Sequence, residues 1–186
     1  MPKRCGWVKM NNPRYVAYHD EEWGQPLHDD QALFELLCME TYQAGLSWET
    51  VLNKRQAFRQ TFHDYQVQDV ADMTDEELET LMDNPAIIRN RAKIFATRAN
   101  AQAFLQVRAE FGSFDSYLWS FVEGKTIVND VPDYAQAPAK TVLSERISKK
   151  LKKRGFKFTG PVAILSFLQA AGLVDDHEND CEWKGN

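Results

Sequence analysis

Lys150-Leu151-Lys152-Lys153-Arg154-Gly155-Phe156-Lys157-Phe158-Thr159-Gly160-Pro161 closes one helical pattern and opens another. Gly155 suits the left-handed residue that ends a helix, and Pro161 suits a first helical position, where a missing N–H costs nothing. A basic helix over 141–154, a short loop and a last helix stopping at Gly172 have the layout of a helix-hairpin-helix, about 143–172. Its use would be anion capture. The first turn of a helix has free N–H groups and the positive end of the macrodipole, and Gly155 and Gly160 let a phosphate approach the backbone. Lys153, Gly155, Lys157, Thr159 and Gly160 are therefore the candidate DNA-backbone contacts. An ordinary αα-hairpin with a solvated lysine face has the same layout, so the turn alone leaves both readings open.

Charge narrows the choice. The chain carries 22 Lys and Arg against 27 Asp and Glu, a net charge of −5, which evenly spread would repel nucleic acid. Yet from Lys140 to Lys157 the bases are Lys140, Arg146, Lys149, Lys150, Lys152, Lys153, Arg154 and Lys157, against Glu145 alone. The tail reverses this, with Asp175, Asp176, Glu178, Asp180 and Glu182 against Lys184. Local asymmetry of this kind governs anion binding more than the total does.

Outward from the hairpin, the chain reads as helix after helix. Asn12-Pro13 predicts a capped start for a helix carrying Tyr15 and Tyr18. Leu33, Phe34, Leu36, Leu37 and Met39 recur at helical spacing from Asp30 until near Gly45. Ser47 predicts a cap for one helix carrying Trp48, Val51, Leu52 and Phe58, and Thr74 with Glu77 a capping box. Asn84-Pro85 predicts a further helical start, Arg91 to Phe111 a long helix and Phe114 to Val122 a short one. Between Gly124 and Ala139 no sustained alternation declares a strand pair, though there is room for a short extended piece. The expected fold class is all-α, as a single domain over 1–186; 186 residues that are 44% hydrophobic are enough for one real core. The longest apolar run, 163–174, is too short to span a membrane, and the N-terminus has no signal-peptide pattern. A cytoplasmic monomer without a membrane partner is expected.

Three cysteines, an odd number, fit a reducing compartment better than a disulfide framework. Cys5 and His19 lie near the start, His177 and Cys181 near the end, the latter pair at a His-x3-Cys spacing that can converge on one ion. Two thiolates and two imidazoles suit tetrahedral structural zinc. One such ion would tie segments 1–23 and 173–186 together and order the acidic tail. The alternative is that Cys5 is incidental, His19 packs on Trp23 and the tail is loose. Cys38 reads as core, and His28 and His63 have no evident partner.

Tyr15 and Tyr18 can share a helix face, with Trp7, Trp23 and Trp48 near them in sequence and Glu40 inside an otherwise apolar helix. A carboxylate there must reach water, pair, or line a site. Aromatic rings with one acid suit a flat cationic ligand, which would stack and pair with the charge. Core aromatics beside an exposed Glu are the plainer alternative.

Seven blocks taken together are similar to the bacterial 3-methyladenine DNA glycosylase I family. They are Arg4-Cys5-Gly6-Trp7, Tyr18-His19-Asp20-Glu21-Glu22-Trp23-Gly24, Gln43-Ala44-Gly45-Leu46-Ser47-Trp48, Ile87-Ile88-Arg89-Asn90-Arg91, Leu118-Trp119-Ser120-Phe121-Val122, Lys152 to Phe158, and Gly172-Leu173-Val174-Asp175-Asp176-His177. The resemblance covers nearly the whole chain. It implies a helical helix-hairpin-helix glycosylase with one structural zinc on Cys5, His19, His177 and Cys181. It also implies Glu40 as the pocket carboxylate and catalytic group, Tyr18 and Trp48 as base-contacting rings, and Tyr15, Trp7 and Trp23 in or near the pocket. Gly45-Leu46 corresponds to the turn that fills the gap in the duplex, and Thr41-Tyr42 is a departure from the family pattern at the expected pocket rim.

The implied reaction is hydrolysis of the N-glycosidic bond of 3-methyladenine flipped from alkylated double-stranded DNA. Water is the implied nucleophile, free 3-methyladenine the product, and no catalytic cofactor is used. Asp175 and Asp176 follow the hairpin, where related glycosylases place a catalytic Asp, but this family is not thought to need one. The competing expectation is a zinc-stapled helical DNA-binding module without catalysis.

Overall fold

The computed structural model describes residues 1–185; Asn186, the last residue of the segment expected to hold metal, lies outside them. Helices begin where a side chain can satisfy the free N–H groups of a first turn. Asn12 caps α1 (Pro13–Glu21), Asp29 caps α2 (Asp30–Tyr42) and Ser47 caps α3 (Trp48–Asn53). The single helix expected after Ser47 is two helices, because the backbone turns out of helical geometry at Lys54 (φ −96°, ψ 3°) before α4 (Arg55–Thr61). The five residues of α5 (Val67–Ala71) are too few to show a period, whereas the Thr74–Glu77 capping box opens α6 (Asp75–Thr80) as its spacing predicts. Asn84-Pro85 does not start a helix. The Asn84 carboxamide oxygen accepts the Ala86 N–H in a local turn, and helix resumes only where Asn90 caps α7 (Arg91–Phe111).

After α8 (Phe114–Ser120) the all-α expectation needs a correction. Strand β1 (Ile127–Val128) comes first, and beyond α9 (Val142–Lys153) and α10 (Pro161–Ala170) strand β2 (Val174–Asp175) pairs with it in parallel. Ile127 lies opposite Val174 and Val128 opposite Asp175. Two-residue strands carry no alternation to read. The fold is mostly helical with this one small ladder, and no helix among the described residues is long and apolar enough to cross a membrane.

Helix α2 runs through the middle. Every residue from Leu33 to Tyr42 is buried, so the helix is enclosed on all sides, with α7 and α10 packed against it. Three of its polar side chains must then be accounted for. Glu35 meets Arg55 at 2.6 Å and Arg59 at 2.5 Å. The Tyr42 hydroxyl lies 3.0 Å from both the Tyr65 and Thr97 hydroxyls. Glu40 is the third, and it belongs to the site described below. His28, expected to be alone, lies 2.7 Å from an Asp115 carboxylate oxygen and packs on the Trp119 ring.

The acidic tail is ordered by use of its acids as acceptors. Glu178 takes the N–H groups of Gly6 and Tyr134, and Asp175 those of His177 and Gly185. Where α10 ends, Gly172 (φ +77°) passes so close to the chain before α2 that a Cβ would lie 2.5 Å from the Gln25 carbonyl carbon. Gly172→Ala is therefore expected to combine backbone strain with a clash against backbone, costing about 2 kcal/mol or more in denaturant melts. An unchanged midpoint would show that this junction yields easily.

Candidate active site

A pocket opens where α1, α2, α3 and α10 meet. Helix α1 contributes Tyr15 and Tyr18, α2 contributes Glu40 with Gln43 just past its end, and Trp48 starts α3. Trp7 and Trp23 flank α1, Tyr134 comes from the loop after β1, and Ser166 and Gln169 come from α10. The structure thus gathers all six residues expected at a base pocket, Trp7, Tyr15, Tyr18, Trp23, Glu40 and Trp48, around one cavity. Tyr18 and Trp48 have ring centroids 5.3 Å apart and tilted by 49°, and Trp7 meets Trp23 edge-on at 4.8 Å.

Glu40 is only 5% exposed, and its Oε2 has no hydrogen-bond partner among the described residues. Burial pushes its carboxyl up to about 8, because a charge in an apolar surrounding loses hydration that no neighbour replaces. The indole N–H groups of Trp7 and Trp48 are likewise buried without acceptors. Buried polar atoms normally find partners, so three open ones around one cavity describe a site shaped for a polar ligand. The arrangement offers aromatic faces, two donors and an acid. Such a set can stack a flat heterocycle, exchange hydrogen bonds with its edge and favour positive charge on it.

Four lining residues were not found by sequence reasoning. Gln43 and Ser166 gave no signal, and Tyr134 sits in a segment without periodicity. Gln169 had one, being a polar side chain in an apolar helix, the same signal that marked Glu40. Its Oε1 accepts from the Tyr134 hydroxyl at 2.9 Å, and its Nε2 donates to Asp176 at 2.7 Å. Asp176 also accepts from Asn129. Burial works to raise Asp175, yet hydrogen bonds from His177 and Gly185 hold it at about 2. Both carboxylates are committed to protein donors. Thr41 and Tyr42, expected at the pocket rim, are buried in the core beneath it.

A second cleft adjoins the pocket and shares Glu40, Gln43 and Ser166 with it. One wall is Gly45 and Leu46; the other is Phe158, Gly160, Pro161 and Val162. A Cβ at Gly45, Gly155 or Gly160 would meet nothing within 4 Å, so their backbones face open space. Among the other expected DNA contacts, Lys157 is exposed, with its backbone held at both ends by the Asn100 carboxamide. Thr159 is fully buried. Lys153 lines a separate groove with Phe111, Tyr117 and Phe121.

Behind the pocket the two ends of the chain meet. Ligand atoms of Cys5, His19 and Cys181 lie within 4.8 Å of one another, with Cys181 Sγ 3.5 Å from His19 Nε2. His177 is adjacent, its ring 5.4 Å from that of His19, but it falls outside that tight group of three. Its Nε2 is buried and has no hydrogen-bond partner among the described residues. Both imidazoles have Nδ1 engaged by a carboxylate, Asp20 at 2.8 Å and Asp175 at 2.7 Å, which leaves each Nε2 as the free coordinating atom. The donor set and the orphaned Nε2 fit a soft metal ion. Trp23 packs against His177 at 4.7 Å and Trp7 against His19 at 5.3 Å, so the pocket wall rests on this cluster.

The sequence profile of methyladenine glycosylases matches residues 7–184. A DNA-3-methyladenine glycosylase of Haemophilus influenzae is 48% identical over 184 residues, 99% of each chain. DNA-3-methyladenine glycosylase 1 of Escherichia coli is 46% identical and covers 96% of this chain and 95% of its own. Among solved structures, 3-methyladenine DNA glycosylase I from Staphylococcus aureus, studied for its recognition of 3-methyladenine, superposes with a TM-score of 0.94 at 41% identity. That match covers 98% of this chain and 97% of the other. Sequence, fold and coverage agree over almost the full length: the chain belongs to the methyladenine glycosylase family.

Proposed function

We infer that this protein is a DNA-3-methyladenine glycosylase, a hydrolase that cuts the N-glycosidic bond of 3-methyladenine in DNA repair. The observation that carries this reading is the buried, unpartnered Glu40 carboxyl inside an aromatic pocket whose mouth opens on the cleft beside Gly45-Leu46 and Gly160. A base in a duplex is reached only after it leaves the stack, and a damaged base leaves more cheaply. The helix-hairpin-helix around Gly155–Gly160 would hold alkylated duplex backbone through helix-start N–H groups, with Lys157 and Lys153 adding charge. Thr159, being buried, could contribute only through its backbone. Gly45-Leu46 would fill the gap that the extruded base leaves.

N3-methylation gives the nucleoside a positive charge, so the base is already a good leaving group and needs no strong general acid. Selection and charge stabilisation are what remain for the protein. Tyr18 and Trp48 would stack the purine, with Tyr15, Trp7 and Trp23 closing the pocket. Glu40 would accept hydrogen bonds from the cationic base and favour the positive transition state, while water attacks the sugar. The reading treats residues 1–186 as one domain with its ends, 1–23 and 173–186, joined by a structural zinc ion. Cys5, His19, Cys181 and His177 would hold that ion, which supplies cohesion and no chemistry.

Glu40→Gln keeps shape and removes charge, so excision should fall about 10- to 100-fold, the worth of a charged hydrogen bond. In the parent enzyme kcat/KM should climb with pH and level off above about 8 as Glu40 ionises, and the variant should lose that rise. Near-normal excision by the variant would move the role to another residue.

The same group links to stability with a defined sign. Glu40's folded pKa is raised, so its stability contribution is complete below the ordinary 4.5 and is lost as pH rises through about 8. Glu40→Gln should melt on the order of 5 °C higher than the parent at pH about 9, and equally at pH about 4. Equal melting at both would contradict a buried, unpaired acid.

Protein purified without chelators should contain one zinc per chain by elemental analysis, and Cys181→Ser should lose it and melt lower. Zinc-free wild-type protein of full stability would exclude the staple. Release of free base from methylated DNA separates this enzyme from a non-catalytic DNA-binding module, which would release none.

A further inference from the structure

Lys93 is a buried cation without an acid. It lies in the first turn of α7, the end of a helix where positive charge is disfavoured by the macrodipole, and is only 5% exposed. Burial lowers its pKa, and no neighbouring carboxylate among the described residues offsets that effect. Its ammonium instead donates to two main-chain carbonyls, Tyr42 O at 2.7 Å and Ala44 O at 2.6 Å. These bracket the end of α2, where helix carbonyls have no further N–H partners and the macrodipole is negative. The chain then turns tightly: Leu46 N–H donates to Gln43 O at 2.7 Å, and Gly45 takes φ +79°. Beyond the clamp the turn stands clear of the protein. Leu46 is 38% exposed, and a Cβ on Gly45 would touch nothing.

A projection that enters a base stack must be ordered before it arrives, or ordering it subtracts from the free energy available for unstacking. The cation spent beneath this turn supplies that order. We propose that Lys93 is a positioning residue for base extrusion: its ammonium fixes the Gln43–Leu46 turn so that Leu46 enters the duplex preformed. This rests on the reading that Gly45-Leu46 fills the gap left by the flipped base. Lys93 lines neither of the two cavities. Capture of free base depends on Tyr18, Trp48 and Glu40, which stand on α1, α3 and the preceding turn of α2, so it should be separable from extrusion.

Lys93→Met keeps the apolar stem and removes the donors. Three quantities distinguish its role: quenching of tryptophan fluorescence by free 3-methyladenine, brightening of 2-aminopurine placed beside a non-cleavable abasic analogue in a duplex, and single-turnover excision. Free-base affinity should stay within about twofold, while brightening falls at least about fivefold and excision about tenfold or more. Lys93→Gln, which retains two N–H donors, should fall between, and it serves if the Met variant does not fold. Full brightening by the folded Met variant, or parallel loss of free-base binding and extrusion, would overturn the proposal. Leu46→Ala with undiminished brightening would instead remove the gap-filling reading, and the proposal with it.

Discussion

Two buried acids on one helix receive opposite treatment. Glu35 has two guanidinium groups against it, and although burial works to raise its pKa, Arg59 and Arg55 hold it below the usual range. Glu40, five residues further along α2, has no cation, and burial alone drives it to about 8. Leaving a carboxyl unpaired inside a protein costs stability unless something else meets it. Here the cavity, its aromatic walls and its open mouth all converge on that one oxygen pair. An oxygen left open in such a cavity is a place for a polar group of a ligand to bind.

The aromatic walls depend in turn on the closure of the chain on itself. Trp7 and Trp23 are packed against His19 and His177, and the tail that brings His177 there is held by its own acids on backbone N–H groups of Gly6, Tyr134 and Gly185. The β1–β2 ladder adds a second tie at the same place. The Cys5–His19–Cys181 group, the ladder and the carboxylate caps therefore act on one structural problem, keeping two distant segments of the sequence together behind the pocket. Asp175 and Asp176 take part in that work, their carboxylates accepting hydrogen bonds from Asn129, Gln169, His177 and Gly185.

The site also divides by element. Tyr15, Tyr18, Glu40, Trp48, Ser166 and Gln169 of the pocket stand on α1, α2, α3 and α10. Residues along the second cleft, Gly45, Leu46, Phe158 and Gly160, stand on turns between helices, and a Cβ at either glycine would meet nothing within 4 Å. Rigid recognition and a projecting edge meet at Glu40, Gln43 and Ser166, the three residues common to both cavities.

Local signals in the sequence determined most of the helix starts and singled out the acid at the pocket. Asn12, Ser47 and Thr74 mark helix starts because capping is a matter of residues a few positions apart, and Glu40 stands out because an acid in an apolar period is visible locally. The ordered family motifs tied Cys5, His19, His177 and Cys181 to one another. What tertiary structure alone decided was everything that pairs distant segments. The break at Lys54, the β1–β2 ladder, the entry of Tyr134 into the pocket, and the burial of Thr159 left no periodic trace. Nor did sequence indicate that Glu35 would find arginines while Glu40 would not. Which buried charge is paired depends on the elements brought against it in space, and a one-dimensional pattern contains no distances across the core.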